Sequence, residues 1–231
     1  MKLLITLLFA LTMQAQTTIE ALHYLVRQPK IKAAHPPVLF LLHGVGSNEK
    51  DLFSFAENLP DKYLVISARG PLTLRANRYG WFHVDFKDGK PNMNFEEQEA
   101  SRKLLITFIS QMQQKFSFDA GQVYLCGFSQ GGIMSYSIAL THPELIKGIA
   151  VMSGRLLPEI KTLAAPDAKL KKLDIFISHG TADNVLTIDW AHAAKAYLEE
   201  HGLTPNYHEY AGAGHEINKT MFADLLAWLN K

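Results

Sequence analysis

The chain has 231 residues, is 48% hydrophobic and carries a formal net charge of +1 with a single cysteine. That is apolar material enough for one sizeable core. The balanced charge recommends neither a nucleic acid nor an anionic surface as partner, and the lone Cys126 excludes an intrachain disulfide.

The first segment stands apart. Lys2 precedes an apolar run from Leu3 to Met13, broken by Thr6 and Thr12, and Met13-Gln14-Ala15 offers a small residue for cleavage. This is the order of a secretory signal peptide, so residues 1–15 are expected to be removed and the protein exported, to the periplasm or outside the cell. A stable membrane span needs about 20 apolar residues. The run is shorter, and no span is expected in the mature protein. Residues 16–231 then form one predicted domain.

Residues 18–26 read as an early hairpin region that supplies antiparallel edge pairing. Residues 37–42, 63–67, 123–128, 148–153 and 174–178 are short, continuously apolar runs, as suits parallel strands covered on both faces. Residues 205–210 alternate more and read as a last strand. Between them, residues 96–116 predict a helix with Ala100, Leu104, Ile106, Phe108 and Met112 along its apolar stripe. Residues 131–141, 188–200 and 217–230 behave similarly. Residues 70–94 and 154–172 show no period and read as long loops at the C-terminal edge of the sheet, where α/β folds bind ligands. Strand and helix alternating along the chain imply an α/β fold, with a mostly parallel central sheet and helices on both faces.

The chemistry is carried at strand ends. Gly127-Phe128-Ser129-Gln130-Gly131 follows a buried strand and opens a helix, the setting of a nucleophile elbow. Glycines on both sides let the turn close where a Cβ would meet the neighbouring strand and helix. The turn also leaves the Gln130 N–H at a helix N-terminus, where a developing oxyanion can bind. A serine hydroxyl needs a base, and the base needs an orienting acid. In chain order these should be an acid and then a histidine. Asp183 follows the strand ending in Ile177-Ser178-His179-Gly180, and His215 follows Ala211-Gly212-Ala213-Gly214. Other residues fit less well. Asp174 opens its strand at the wrong end, Asp189 lies inside a helix, His179 reads as a packed strand-end residue, and His43 reads as shaping the turn at Gly44. Leu41-Leu42-His43-Gly44-Val45-Gly46 closes the first buried strand and nominates the Val45 N–H as the second oxyanion donor. No metal site emerges from ligand spacing, and no phosphate or dinucleotide fingerprint occurs. No cofactor is expected.

Taken together, LLHGVGSNEKDL, GFSQGG, SHGTADNVL and GAGHEI resemble the phospholipase/carboxylesterase family of small α/β-hydrolases, which includes the acyl-protein thioesterases. The resemblance runs from about Pro37 to the C-terminus. It implies the α/β-hydrolase fold, a triad of Ser129, Asp183 and His215, and oxyanion donors at Val45 and Gln130. It also implies that Trp81 lines the substrate pocket. Ser47 stands where many members carry Asp, so thioesterase specificity does not transfer with the triad. The expected activity is hydrolysis of small acyl esters through an acyl-enzyme, with a thioesterase or lysophospholipase of the same family as the alternative. An exported binding protein on this scaffold would be recognised by a missing triad member, and none is missing.

Overall fold

A computed structural model describes residues 20–87 and 90–231; the predicted signal peptide lies outside the described residues. Seven strands form the main sheet: β1 (Tyr24–Arg27), β2 (Val38–Leu42), β3 (Leu64–Ala68), β8 (Val123–Phe128), β9 (Gly148–Met152), β10 (Asp174–Gly180) and β11 (Asn206–Tyr210). Their spatial order is β1-β3-β2-β8-β9-β10-β11. Only β1 runs antiparallel, against β3. The expected early hairpin is therefore one edge strand whose partner lies far along the chain.

The strand sequences explain the layering. In β2, Val38, Phe40 and Leu42 enter one buried cluster, while Leu39 and Leu41 enter another. Successive side chains point to opposite faces. The first cluster also takes Leu105, Phe108 and Met112 from α2 (Phe95–Phe116), Ile133 from α3 (Gln130–Thr141) and Leu198 from α6 (Ile188–Glu200). The second takes Leu52 from α1 (Lys50–Phe53) and Leu225 and Trp228 from α7 (Lys219–Leu229). A strand with both faces covered is apolar along most of its length, which is why these runs do not alternate.

Two expectations change. Residues 70–94 are not a plain loop: they hold β4 (Leu72–Arg75) paired with β5 (Arg78–Gly80), and β6 (Val84–Lys87) paired with β7 (Lys90–Met93). Residues 154–172 hold two short helices, α4 (Pro158–Leu163) and α5 (Asp167–Leu170). The stripe of α2 is also rotated from its expected phase. Its buried face is Gln98, Ser101, Arg102, Leu105, Phe108, Ile109 and Met112, with Ala100 exposed. Three polar residues on the inward face hid the true period. Each makes a hydrogen bond: Gln98 Nε2 donates to Ser137 Oγ at 2.8 Å, the Ser101 hydroxyl to the Trp81 carbonyl, and Arg102 to both oxygens of Glu99, while the buried Gln98 Oε1 is left without a partner.

The strand order sets the position of the site. From β2 the chain turns to β3 on one side, and β8 then begins the run on the other. Open α/β sheets bind ligands at such a switch point, outside the C-terminal strand ends. Here it falls between β2 and β8, so it brings the turn after Leu42 beside the turn after Phe128. Among the described residues, no helix is long and apolar enough to cross a membrane.

Candidate active site

Ser129 sits between β8 and α3 with φ 53° and ψ −116°, a conformation non-glycine residues seldom adopt. The cost is of order 1–3 kcal/mol, which surrounding structure must impose. It does so by close approach: a Cβ on Gly127 would lie 2.2 Å from the Gly131 carbonyl oxygen, and one on Gly131 would lie 1.9 Å from that of Leu42. The Ser129 N–H donates to the Met152 carbonyl at 2.9 Å, which ties the turn to β9.

Asp183 and His215 arrive on two loops that are bonded to each other. The Thr181 N–H donates to the Tyr210 carbonyl, the Ala182 N–H to that of Ala213, and the Gly212 N–H to the Thr181 hydroxyl. His215 Nδ1 lies 2.7 Å from Asp183 Oδ2, and its Nε2 lies 2.9 Å from Ser129 Oγ. A carboxylate only accepts, so the proton sits on Nδ1 and Nε2 is left to accept from the Ser129 hydroxyl. Asp183 is buried, and its Oδ1 accepts the Val185 and Leu186 N–H groups at 2.9 Å each. The structure thus brings all three expected residues into one hydrogen-bonded row. His179 is the packed residue it was read to be. It is fully buried, donates from Nε2 to the Leu186 carbonyl at 2.7 Å, and is held toward the neutral form by burial.

The turn after β2 is organised by His43. The Gly70 N–H donates to His43 Nε2 at 2.9 Å, so the ring proton is on Nδ1 and is donated to the Gly44 carbonyl at 2.7 Å. The Ser47 N–H donates to the same carbonyl. In a trans peptide the C=O and the following N–H point in opposite directions. Fixing the Gly44 carbonyl therefore aims the Val45 N–H the other way. Neither the Val45 nor the Gln130 N–H has an acceptor among the described residues. Burial lowers the His43 pKa, which favours the neutral tautomer that this arrangement needs.

The Gln130 side chain has its own task. Its Oε1 accepts the Trp81 N–H and its Nε2 donates to the Phe82 carbonyl, both at 2.7 Å. This clamps the segment after β5 onto the elbow. It also corrects the reading of Trp81 as a pocket residue. Trp81 is fully buried, its indole N–H donates to the His43 carbonyl at 2.9 Å, and its ring packs on His43. A buried indole N–H needs an acceptor, and here that need turns the ring away from the cavity. Its neighbour Phe82 faces the cavity instead.

That cavity, of about 190 Å³, opens beside Ser129 and Gln130 and is walled by Phe82, Val84, Met93, Ile133 and Leu186. Val45 and Val185, 48% and 60% exposed, make its rim apolar. Sequence reasoning did not reach these wall residues: Phe82 lies between the two hairpins, Val84 and Met93 in the second hairpin and Leu186 in a loop, segments without a periodic signal, and only Ile133 stands on an expected helix. Cys126 is buried in β8 and its thiol is pushed up to about 12 by burial, so it is no nucleophile. No cluster of three or more His, Cys, Asp or Glu able to hold a metal occurs among the described residues.

Comparison with known proteins bears on the family and the fold. The model of the family described as Phospholipase/Carboxylesterase matches residues 23–231. Carboxylesterase SOBER1 of Arabidopsis thaliana is 28% identical over 202 residues, covering 82% of this chain and 88% of the relative. Acyl-protein thioesterase 1 of Kluyveromyces lactis is 26% identical over 215 residues, covering 84% and 91%. The crystal structure of the Bacillus cereus carboxylesterase superposes with a TM-score of 0.77 at 22% identity, covering 90% of this chain and 93% of that one.

Proposed function

The chain belongs to the phospholipase/carboxylesterase family, and from that premise we propose that it hydrolyses short-chain carboxylic esters through an acyl-enzyme on Ser129. Ser129 Oγ attacks the ester carbonyl while His215 Nε2 takes its proton. His215 returns that proton to the departing alkoxide, then activates the water that releases the acid. Asp183 holds the Nδ1–H tautomer and stabilises the imidazolium that forms. The Val45 and Gln130 N–H groups bind the oxyanion of each tetrahedral intermediate. One observation carries the assignment: the row of 2.9 Å and 2.7 Å contacts from Ser129 through His215 to Asp183.

The acyl group is read from the cavity. Drug-sized ligand pockets run to roughly 300–1,000 Å³. At about 190 Å³ and with apolar walls, this one suits a short acyl chain better than a long lipid chain. The same chemistry would cleave a short thioester. Ser129→Ala is expected to abolish turnover of p-nitrophenyl acetate and butyrate and labelling by a fluorophosphonate, with an unchanged unfolding transition. Retained turnover would refute the assignment. A p-nitrophenyl series from acetate to palmitate, with acetyl thioesters alongside, locates the chain-length limit; a palmitate optimum would overturn the short-chain reading.

We also propose that the enzyme works after export, supported by Lys2, the apolar run from Leu3 to Met13 and the small residue at Ala15. The N-terminal mass of the protein from cells grown with its own leader is expected to begin near Gln16. An intact Met1 in a cytoplasmic fraction would overturn this.

A further inference from the structure

The segment after β9 passes directly behind the nucleophile. Met152 accepts the Ser129 N–H, Ser153 takes a left-handed conformation at φ 48°, and a Cβ on Gly154 would lie 3.2 Å from the Gly132 Cα in the first turn of α3. The next residue is Arg155. It is only 8% exposed, and its guanidinium lies 3.9 Å from the ring centre of Trp190, in the first turn of α6. Trp190 follows Leu186, a wall of the cavity, by four residues. The cation is therefore bracketed by the segment behind Ser129 and the segment that feeds the acyl cavity.

What sets Arg155 apart is its lack of partners. The two other buried arginines both have hydrogen-bond partners on their guanidinium, although the Arg27 Nε, like that of Arg155, has none. Arg27 donates to the Leu59 and Pro60 carbonyls, and Arg102 forks onto both oxygens of Glu99. No hydrogen bond or ion pair reaches the Arg155 guanidinium among the described residues, and its Nε is sealed from solvent with no acceptor. A guanidinium stays charged and presents five donors in a planar fork. Burying one unpaired is costly, and an aromatic face returns only part of that cost. Glu159 acts on it only at longer range, and burial lowers its pKa.

We propose that Arg155, seated on Trp190, is a recognition site for a carboxylate carried by the ester substrate. The fork matches a carboxylate with two parallel N–H bonds, and Trp190 holds it flat for that contact. This rests on Ser129 being the nucleophile, because the carboxylate belongs to the ester that Ser129 attacks.

The test compares isosteric pairs. On the acyl side, p-nitrophenyl hemiesters of succinate, glutarate and adipate are paired with the same compounds as methyl esters. On the leaving-group side, 4-acetoxybenzoate is paired with its methyl ester. In at least one series kcat/KM should favour the carboxylate by about tenfold or more, as expected for a charge-assisted fork. Arg155→Gln should collapse that ratio toward one, and Arg155→Lys, which keeps the charge but not the fork, should leave an intermediate ratio. A wild-type ratio below tenfold in both series overturns the proposal without any variant, as does a folded Arg155→Gln that keeps the preference. Binding of glutarate to Ser129→Ala, followed by calorimetry, reads the site apart from catalysis. Binding that Arg155→Gln removes in that background supports the site even if the nucleophile assignment falls; no binding counts against it.

Discussion

The turn after β2 and the β6–β7 hairpin both border the Ser129 site, and they are held in different ways. From His43 to Glu49 the turn is tied at nearly every residue. Both ring nitrogens of His43 are bonded, Gly46 and Ser47 exchange backbone bonds with Tyr79, and the Ser47 hydroxyl donates to Asp51. Glu49 is locked in a two-bond fork with Arg69 at 2.6 and 2.7 Å, while Arg69 covers the Tyr79 ring. The hairpin is paired chiefly with itself, Val84 opposite Met93 and Lys87 opposite Lys90. It is anchored at its base, where His83 bonds to Glu97 and Asn94 caps α2. The tied element carries the backbone donor proposed for the reaction; the self-paired one lends two side chains to the cavity wall. An oxyanion donor must be held within about 0.5 Å, whereas an apolar wall can move by that much and still be a wall.

His43→Asn should break the tied side most. Without the ring the Gly44 carbonyl loses a donor and the Val45 N–H loses its fixed aim. Removing one oxyanion donor typically costs ~10²–10³ in kcat. We expect kcat on p-nitrophenyl butyrate to fall about 10²-fold with KM changed by less than about threefold, because the oxyanion exists only beyond the ground state. Affinity for an alkyl boronic acid, which forms a tetrahedral adduct, should fall in parallel. A raised KM with kcat intact would mean that the loop merely binds substrate.

Much of that tied region was legible in the sequence, and the reason is locality. The elbow announces itself within five residues: Gly127 is required by a contact inside the turn, with the Gly131 carbonyl, and Gly131 by the Leu42 carbonyl of the neighbouring β2. Asp183 and His215 could be placed because each immediately follows a strand of recognisable composition. Gly44 and Gly46 on either side nominate the Val45 N–H as the donor, and its lack of an acceptor among the described residues supports that proposal. What could not be read depends on partners distant in the chain. Glu49 and Arg69 are 20 residues apart, and nothing in NEKD marks a buried carboxylate. Strands of three or four residues with mixed polarity, such as Arg78–Gly80, leave no period to detect. Trp81 was misplaced because its orientation is decided by the His43 carbonyl, a bond visible only once the fold is known.

Glu49→Gln probes the same side through stability. The fork with Arg69, and burial against it, leave the Glu49 carboxyl lowered from 4.5 to about 2. A carboxylate with a depressed folded pKa stabilises the protein above its unfolded value near 4.5, and that contribution is lost as pH falls from there toward 2. Glu49 is buried but Arg69 is 25% exposed, so the pair falls between the ranges for exposed and buried bridges. We expect a loss of about 2 kcal/mol at pH 7, or roughly 4–8 °C in Tm. The gap between variant and parent should narrow steadily in melts taken from pH 5 to pH 3. A constant gap would mean that the ionised fork contributes little.

Met93→Ala tests the other side and should do least to the chemistry. Met93 is half-buried at the end of β7 and lines the cavity opposite Val84 in register. Truncation removes three heavy atoms from the wall without touching Ser129, His215 or the two backbone donors. The cavity should lengthen by about two carbons, and discrimination in an apolar pocket is worth about tenfold or more per methylene. We therefore expect kcat/KM for p-nitrophenyl octanoate to rise roughly tenfold relative to acetate, with acetate itself changed by no more than about twofold. Proportional losses on both esters would show that the hairpin helps to hold the reacting groups, and the contrast between a fixed donor and an adjustable wall would fail. A shift confined to the longer ester would place the chain-length limit on the hairpin, the one border of the site that can change without disturbing the Val45 N–H.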